Sequence, residues 1–340
     1  MPDQVLTRAI DRLASGEDLD ADEVEAVLTV IMEGGADEVQ TAAFLIALRT
    51  KGETVDELAG MARTMRRLAT HVSPERQDVV DTAGTGGGPS TINASTIAAL
   101  VAAGAGCAVA KHGNRSNTSL CGSADLLEEL GVPIDLTPDA IAASIDEVGF
   151  GFMFAPLHHE ATRYVVPVRK ALGIRTAFNL LGPLTNPAAA KRQVVGVSDR
   201  EFQETVAGAL SKLGSEHALV VSAEDGTDEI ALTAPTRIFE VRNGEIEEWS
   251  VEPSGLGLRE ASPDELVGGT PAENAEATRN ILAGEDSVGR DFAVANAAAA
   301  IFVAGRAETL ADAIPLASES IDSGAAARVL ERLVESGPGR

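Results

Sequence analysis

The sequence has few aromatic residues, few lysines and almost no cysteine. Aromatic residues make up 3% of the 340 positions, with one Trp and one Tyr, whereas hydrophobic residues together make up 44%. A chain this apolar can bury a core, which excludes a disordered or low-complexity protein. That core must be built from Ala, Val, Leu and Ile. The length is about twice that of a usual domain and favours two domains, or one large α/β unit with a helical addition.

Disulfides, membrane spans and a secretion signal are not indicated either. The two cysteines, Cys107 and Cys121, provide neither a disulfide framework nor the spacing of metal ligands. No apolar run reaches the roughly 18 residues that a membrane span needs. The N-terminus has no basic start followed by an apolar stretch, as a signal peptide would. We therefore expect a cytoplasmic protein that does not interact with a membrane.

Positive charge is scarce, with 27 basic residues against 52 acidic ones and a net charge of −25. This balance argues against a protein whose whole surface binds nucleic acid or an anionic membrane. Only five of the basic residues are lysine, so 22 are arginine. An acidic, lysine-poor composition favours a halophilic protein, because salt screens the repulsion among carboxylates. An acidic mesophilic enzyme that works at ordinary salt concentration is the alternative.

The first 70 residues or so show helical patterns only. Asp20 with Glu23, and Thr54 with Glu57, have the spacing of capping boxes that open helices, and Asp37 can cap the helix between them. From about residue 77, short β-branched runs alternate with Ala-rich helical stretches. These runs are Val79-Val80, 108–110, 218–221 and 238–241. The alternation predicts βαβ units on a largely parallel sheet flanked by helices.

The Pro-rich segment from about 155 to 190 differs from its neighbours and is expected to cross back to the helical layer. We predict a small helical domain of residues 1–72 and about 160–190. A large α/β domain would then contain residues 73–159 and 191–340. The fold class predicted is α/β, with a largely parallel central sheet and a small all-helical domain.

The densest chemical signal is a glycine-rich loop that leaves a predicted strand after Asp81 and runs from Gly84 to Gly88. The segment Asn93-Ala94-Ser95-Thr96 follows at the start of a helix. Glycines let the backbone approach a ligand, and a helix N-terminus adds free N–H groups and a positive dipole end. No lysine follows as in a P-loop, and no acidic residue follows as in a dinucleotide fold. We expect phosphate binding of another kind.

A basic segment, Lys111-His112-Gly113-Asn114-Arg115-Ser116, follows the second predicted strand. In so acidic a chain, Lys111 and Arg115 at a strand end indicate a site for a multiply charged anion such as pyrophosphate. Parallel sheets bind ligands at the carboxyl ends of their strands, where this segment is expected. A surface cluster paired with acids is the alternative.

Two adjacent pairs of side chains have metal-ligand chemistry. Asp228-Glu229, just after a predicted strand, suits Mg²⁺ bound to substrate phosphate, although 52 acids make such pairs common and a solvated turn is the alternative. His158-His159 lacks a third ligand nearby and is expected to be a packing and hydrogen-bonding pair.

Several blocks together resemble the anthranilate phosphoribosyltransferase family over nearly the whole chain. The blocks are GTGGG at 84–88, NAST at 93–96, KHGNRS at 111–116, GSADLLEELG at 122–131, FAPLHHEATRYVVPVRKALGIRTAFNLLGPLTNP at 154–187 and DGTDEI at 225–230. They keep the family's order. The resemblance implies a nucleoside-phosphorylase-like fold, a homodimer through the helical domains, and transfer of a phosphoribosyl group to anthranilate in tryptophan biosynthesis.

The resemblance also implies roles for single residues. Phosphoribosyl pyrophosphate would be held by Gly84, Thr85, Gly86, Gly87, Asn93, Ser95, Thr96 and Lys111. Two Mg²⁺ ions would be held by Ser95, Asp228 and Glu229. Anthranilate would lie against His112, Asn114 and Arg169, with Arg169 binding its carboxylate. Lys111 and the two acids would then stabilise the departing pyrophosphate.

The sequence departs from the family at the tip of the glycine loop and near the acceptor. Gly88 stands where the family usually has Asp, Pro89-Ser90 alters the loop tip, and Glu160 replaces a usual proline. These changes bear on metal stoichiometry and substrate affinity more than on the reaction type.

Alternative functions would require other residues at some of these positions. A pyrimidine nucleoside phosphorylase would need S-G-R-G where 121–124 read CGSA, and the other phosphoribosyltransferase class would need an acid at position 82, which is Thr. A non-catalytic paralogue that binds a phosphorylated ligand would be favoured by loss of Lys111, Arg169 or the acidic pair, and all are present. A paralogue with a different aromatic acceptor stays open.

Overall fold

The computed structural model describes residues 2–116 and 119–336, which form a seven-stranded sheet between helices and a helical bundle beside it. The strands are β1 (Val79–Asp81), β2 (Ala108–Gly113), β3 (Phe150–Phe154), β4 (Arg192–Gly196), β5 (His217–Ala223), β6 (Thr236–Arg242) and β7 (Glu245–Val251). The α-helices of this part of the chain are α1 (Gln4–Ala14), α2 (Ala21–Met32), α3 (Glu38–Lys51), α4 (Val55–Leu68), α5 (Ala94–Gly104), α6 (Ser123–Glu129), α7 (Pro138–Val148), α8 (Ala155–His158), α9 (Val166–Leu172), α10 (Phe178–Leu181), α11 (Gln203–Lys212), α12 (Pro271–Leu282), α13 (Val288–Val303), α14 (Leu310–Asp322) and α15 (Ala325–Glu335). Short 3-10 helices cover Glu160–Tyr164, Gly182–Leu184, Arg200–Phe202, Pro253–Leu256 and Pro263–Leu266.

The N-terminal helices begin at the caps that the sequence predicts. At the start of α2, the Asp20 carboxylate accepts from the Glu23 N–H and the Glu23 carboxylate accepts from the Asp20 N–H, both at 2.9 Å. Thr54 and Glu57 form the same reciprocal pair at α4. The Asp37 carboxylate caps α3. These helix starts are confirmed. Each cap stabilises the start of its helix because it satisfies N–H groups that the first turn leaves without a partner.

The sheet has the order β3-β2-β1-β4-β5-β6-β7, and its first five strands are parallel. The largely parallel sheet is therefore confirmed. One detail is wrong: residues 238–241 do not belong to a βαβ unit, because β6 runs antiparallel to β5. The connection from Ala223 to Thr236 contains no helix, and a parallel neighbour would need such a crossover. The strands β3, β4 and β7 were not predicted.

The core is built from small and aliphatic side chains, as the composition requires. On one face of the sheet, α5 and α13 pack against each other, with Ala98, Ala99 and residues 297–300 fully buried or nearly so. On the other face, α11 contacts β5, β6 and the bundle helix α4. Both Cys107 and Cys121 are buried free thiols.

The Pro-rich segment joins the bundle. Val165, Val168, Phe178 and Leu181 belong to the same apolar cluster as the helices α1–α4. This cluster continues through α11 onto β4, β5 and β6, so the bundle lies over one face of the sheet. Residues 1, 117–118 and 337–340, which fall in the predicted domain limits, lie outside the described residues. Within the described residues, no helix is long and apolar enough to cross a membrane.

Candidate active site

A cleft of about 440 Å³ lies between the carboxyl ends of the parallel strands and the Pro-rich segment. The structure brings nearly all the predicted site residues to its wall. These are Gly84, Thr85, Gly86, Gly87, Asn93, Ser95, Lys111, His112, Asn114, Arg169, Asp228 and Glu229. Loops that follow neighbouring parallel strands meet at one edge of a sheet, which is why motifs distant in the chain converge here.

Thr96 is the exception. Its side chain is fully buried, its Oγ1 has no hydrogen-bond partner among the described residues, and it does not line the cleft. Asn93 is the N-cap of α5, so Ser95 faces the cleft while Thr96, one position further round the helix, faces the interior. The Thr96 side chain is therefore not part of the cleft wall in this structure.

The glycine loop is fixed against the end of β4. The Thr85 N–H donates to the carbonyl of Gly196 at 2.8 Å, and Gly86 and Gly87 have φ values of +67° and +90°. Such angles favour glycine. A Cβ atom on Gly88 would stand 2.6 Å from Oδ1 of Asp228. The aspartate usual at this position would thus collide with Asp228 in this conformation, so the glycine allows the loop to lie directly on the acidic pair.

Lys111 lies at the carboxyl end of β2, with 1% of its surface exposed. Its Nζ donates to Oγ1 of Thr82 at 3.0 Å and is 3.4 Å from Oγ of Ser95. Burial lowers the pKa of Lys111 to about 8, against the opposing effect of the acids Asp81 and Glu229. The side chain is therefore a cation at neutral pH that has no salt bridge to any described residue.

Asp81, the last residue of β1, interacts electrostatically with Lys111. It was not identified as a site residue from the sequence. Its buried carboxylate accepts from the His112 N–H at 3.1 Å and from Nδ2 of Asn186 at 2.7 Å. Burial raises the pKa of Asp81, and the charge of Lys111 opposes that rise. Two features of the sequence could have identified Asp81: its position at the end of a predicted strand, and the D-T-x-G-T-G-G run that it begins.

The two acidic side chains lie together at the base of the cleft. Asp228, Glu229 and Ser95 line a recess of about 40 Å³ that also touches Gly84. Burial raises the pKa values of both carboxyl groups, and the neighbouring Asp228 charge raises that of Glu229 further. No described group of three or more His, Cys, Asp or Glu side chains could hold a metal. Two carboxylates and a hydroxyl suit Mg²⁺ that completes its shell with water and phosphate oxygens.

His112 faces the cleft with an unused nitrogen. Its Nδ1 is 3.0 Å from the carbonyl of Gly182, which can only accept, so Nδ1 carries the proton and donates. Burial lowers the pKa of His112 to about 3, and the ring is neutral. Its Nε2 is buried and has no partner among the described residues. That atom is therefore available as a hydrogen-bond acceptor.

Arg169, on α9, is the cation on the opposite wall. Its guanidinium lies 5.5 Å from the Phe178 ring centroid, and Nη2 donates to Oδ1 of Asn179 at 3.4 Å. Burial lowers its pKa, its Nε is unpartnered within the described chain, and it has no salt bridge there. A half-buried, unpaired guanidinium is suited to a carboxylate.

Other predicted residues have structural contacts. Arg115 also lines the cleft but forms ion pairs with Asp125 at 2.9 Å and Glu128 at 2.8 Å, which favours the alternative of a surface residue paired with acids. His158 Nδ1 bonds the carbonyl of Thr70, and His159 packs against His112. The packing interpretation of this histidine pair is confirmed.

Asn93 and Asn114 also serve the fold. Nδ2 of Asn93 donates to the carbonyl of Cys121 at 3.0 Å, and its Oδ1 accepts from Asn274. Oδ1 of Asn114 accepts from the Arg115 N–H at 2.8 Å. Both residues thereby shape the loops that surround the basic strand end.

Family models recognise both parts of this architecture. A model described as "Glycosyl transferase family, a/b domain" matches residues 76–327, and one described as "Glycosyl transferase family, helical bundle domain" matches residues 7–69. The fold and the site therefore define a glycosyl transferase.

Relatives narrow the class. The anthranilate phosphoribosyltransferase of Symbiobacterium thermophilum is 51% identical over 325 residues, covering 95% of both chains, and that of Moorella thermoacetica is 50% identical over 331 residues, covering 97% of this chain and 98% of the relative. The crystal structure of the Thermus thermophilus enzyme is 43% identical and superposes with a TM-score of 0.92, covering 96% of this chain and 98% of the other. The chain belongs to the anthranilate phosphoribosyltransferase family.

A more distant solved structure carries ligands. The Saccharomyces cerevisiae enzyme in complex with PRPP and Mg is 28% identical, with a TM-score of 0.89 over 97% of each chain.

Proposed function

We propose that the protein transfers the phosphoribosyl group of phosphoribosyl pyrophosphate to anthranilate. The products are N-(5-phosphoribosyl)anthranilate and pyrophosphate, and the reaction is a step of tryptophan biosynthesis. One observation carries the proposal: a single cleft holds the glycine loop, the acidic pair and neutral His112 at the strand ends, and Arg169, which has no ion pair among the described residues, on the Pro-rich segment. The names of the relatives and the bound ligands of the yeast enzyme support it.

The donor site is assigned to the strand-end wall. Gly84, Thr85, Gly86, Gly87 and Asn93 would hold the phosphate groups with Ser95 and Lys111. Thr96 would contribute through the helix start rather than through its side chain. Two magnesium ions would bind through Ser95, Asp228 and Glu229 and would neutralise charge on the pyrophosphate. Lys111 adds a buried positive charge where the pyrophosphate leaves, and low polarity there strengthens its effect.

The acceptor site is assigned to His112, Asn114 and Arg169. Arg169 would bind the anthranilate carboxylate through two parallel hydrogen bonds. The free Nε2 of His112 would accept from the amino group and orient the nitrogen toward the ribose. The bond from the anomeric carbon to pyrophosphate breaks, the bond to the amine nitrogen forms, and the amine releases one proton. Because an aromatic amine is neutral at pH 7, positioning supplies much of the acceleration.

The wider organisation is part of the proposal. We assign residues 1–72 and about 160–190 to the small helical domain, and 73–159 and 191–340 to the large domain. The protein would act as a cytoplasmic homodimer joined through its helical domains, without nucleic acid or membrane partners. Its composition favours operation in high salt.

Consumption of anthranilate tests the function directly. Purified protein is mixed with phosphoribosyl pyrophosphate, Mg²⁺ and anthranilate in KCl, and the fall in anthranilate fluorescence is followed. Orotate, nicotinate, and a pyrimidine nucleoside with phosphate are tested in parallel. Reaction with another acceptor alone would support the paralogue, and no reaction with any of them would support a non-catalytic role.

A further inference from the structure

Arg175 contributes a second cation to the donor wall of the cleft. It lies between α9 and α10, and its Nη2 donates to the carbonyl of Gly87 at 3.0 Å. Its Nη1 is 3.4 Å from Oγ of Ser198, which itself donates to the carbonyl of Gly86 at 2.9 Å. Arg175 is exposed, yet it forms no salt bridge with any described residue. In a chain with 52 acidic residues, this arginine is held at the glycine loop instead of pairing with a carboxylate.

The guanidinium occupies the space directly over the loop. A Cβ atom on Gly87 would stand 1.6 Å from Nη2 of Arg175, so the guanidinium could not keep this position over the loop if residue 87 had a side chain. Arg175 and the acidic pair line the same cleft, and the next residue of the loop, Gly88, lies against Asp228. The positive group therefore lies over the loop that would hold phosphate, in the same cleft as the carboxylates that would hold magnesium.

The backbone around Arg175 is fixed from the bundle side. Its carbonyl accepts a hydrogen bond from the Arg49 guanidinium of α3. Four residues on, Oδ1 of Asn179 accepts from the Thr176 N–H at 3.0 Å and from Arg169. The guanidinium thus extends from a well-anchored segment, which lowers the conformational entropy it would lose on meeting an anion.

We propose that Arg175 is a positioning residue for the pyrophosphate end of the donor. It holds the glycine loop through Gly87 and adds a positive charge beside the metal carboxylates. A guanidinium suits both tasks, because it can keep one N–H on the carbonyl and turn others toward phosphate oxygens. This inference rests on the proposed function, since it assigns a further residue to the same donor site.

Binding of inorganic pyrophosphate in the presence of Mg²⁺ tests the proposal without turnover. Calorimetry on the full-length protein would compare wild type with Arg175→Ala, Arg175→Lys and Arg175→Gln. We expect Ala and Gln to weaken binding by about 10-fold or more, the loss typical of a charge-assisted hydrogen bond, and Lys to retain most of it. In steady-state assays, the KM for phosphoribosyl pyrophosphate should rise while that for anthranilate stays within about twofold of wild type by the same reasoning.

Lys170→Ala is the matched control, because Lys170 is an exposed cation on α9 outside the cleft lining. Equal weakening by Lys170→Ala would show an effect of net charge and overturn the proposal, as would unchanged binding in Arg175→Ala. Equal binding by the Lys and Gln variants would overturn the role of the charge. A melting temperature for each variant separates these results from misfolding.

The same experiments distinguish failure of the proposed transfer reaction from failure of the role proposed for Arg175. Wild-type protein that binds pyrophosphate with Mg²⁺ but transfers to no acceptor would overturn the transfer reaction and leave the role of Arg175 intact. Wild-type protein that binds no pyrophosphate would overturn both.

Discussion

Gly196 lies so close to Asp228 that a Cβ atom at position 196 would stand 1.7 Å from the carbonyl oxygen of Asp228. Gly196 is the last residue of β4, and its own carbonyl accepts from the Thr85 N–H. The end of this strand therefore packs against the turn of the acidic pair on one side and against the glycine loop on the other.

Replacing Gly196 by Ala should lower the rate of transfer at saturating substrate. The added methyl group would push the turn and Asp228 away from the recess, and displacement of a catalytic group by about 1 Å can cost roughly 100-fold in rate. Gly255→Ala is the control, because Gly255 is exposed and a Cβ there would meet nothing. Initial rates at saturating substrate measure the effect, and a Gly196→Ala enzyme as fast as the control would contradict it.

Glu229→Gln should stabilise the protein when magnesium is absent. Burial and the Asp228 charge raise the pKa of Glu229 well above its ordinary value. The folded state then holds a proton that the unfolded state has released, so the free energy of unfolding falls as pH rises from about 4.5 through the raised pKa. The variant should melt higher than wild type at pH 8, by about 2–4 °C per kcal/mol relieved, and less so at pH 5. A lower melting temperature at pH 8 would refute the strain.

Donor affinity should fall at alkaline pH because Lys111 loses its charge. With its pKa lowered to about 8, Lys111 is mostly protonated at pH 7 and mostly neutral at pH 9. If only the cation binds pyrophosphate, affinity should drop by about tenfold per pH unit above 8. Lys111→Met should bind more weakly at pH 7 and show a flatter alkaline limb. Calorimetric titrations from pH 7 to 9.5 measure both, and parallel pH profiles for the two proteins would exclude Lys111 as the titrating group.

Arg169→Ala should raise the KM for anthranilate and leave that for phosphoribosyl pyrophosphate nearly unchanged. Loss of a charge-assisted pair costs about 1.5–3 kcal/mol, which corresponds to roughly 10- to 150-fold. Arg169→Lys should rescue little, because an ammonium group lacks the planar fork that matches a carboxylate. Aniline, which has no carboxylate, provides the comparison: a mutant that loses as much activity toward aniline as toward anthranilate would disprove the assignment.

Stability should increase with KCl into the molar range. A net charge of −25 repels itself, and added cations screen that repulsion. Thermal unfolding at low and molar KCl measures the effect. A melting temperature that is constant or falls with salt would rule out adaptation to high salt.

Much of the site could be predicted, because the chemical type of a side chain and its place after a strand are both visible in the sequence. Lys111 lies near the end of a parallel strand, Asp228 and the glycine loop each follow one, and parallel strands bring their carboxyl ends together. Helix caps such as Asp20 were equally readable, since the signal lies within four residues.

Other features of the site depend on contacts that lie outside local sequence. Whether Arg115 meets a ligand or an acid depends on Asp125 and Glu128, which belong to α6, a helix that begins eight residues later at Ser123. Thr96 and Ser95 differ only in the direction in which the helix turns them. The contact between Arg175 and the glycine loop could not be predicted, because it forms only when the Pro-rich segment folds back over that loop.

The outer strand β7 lies at the edge of the sheet, where its free N–H and C=O groups could pair with another chain. It carries Glu245, Glu247 and Glu248, all exposed, and only β6 pairs with it among the described strands. A second copy of the strand alongside it would bring six carboxylates together. Repulsion among these carboxylates would oppose pairing of two molecules along this edge of the sheet.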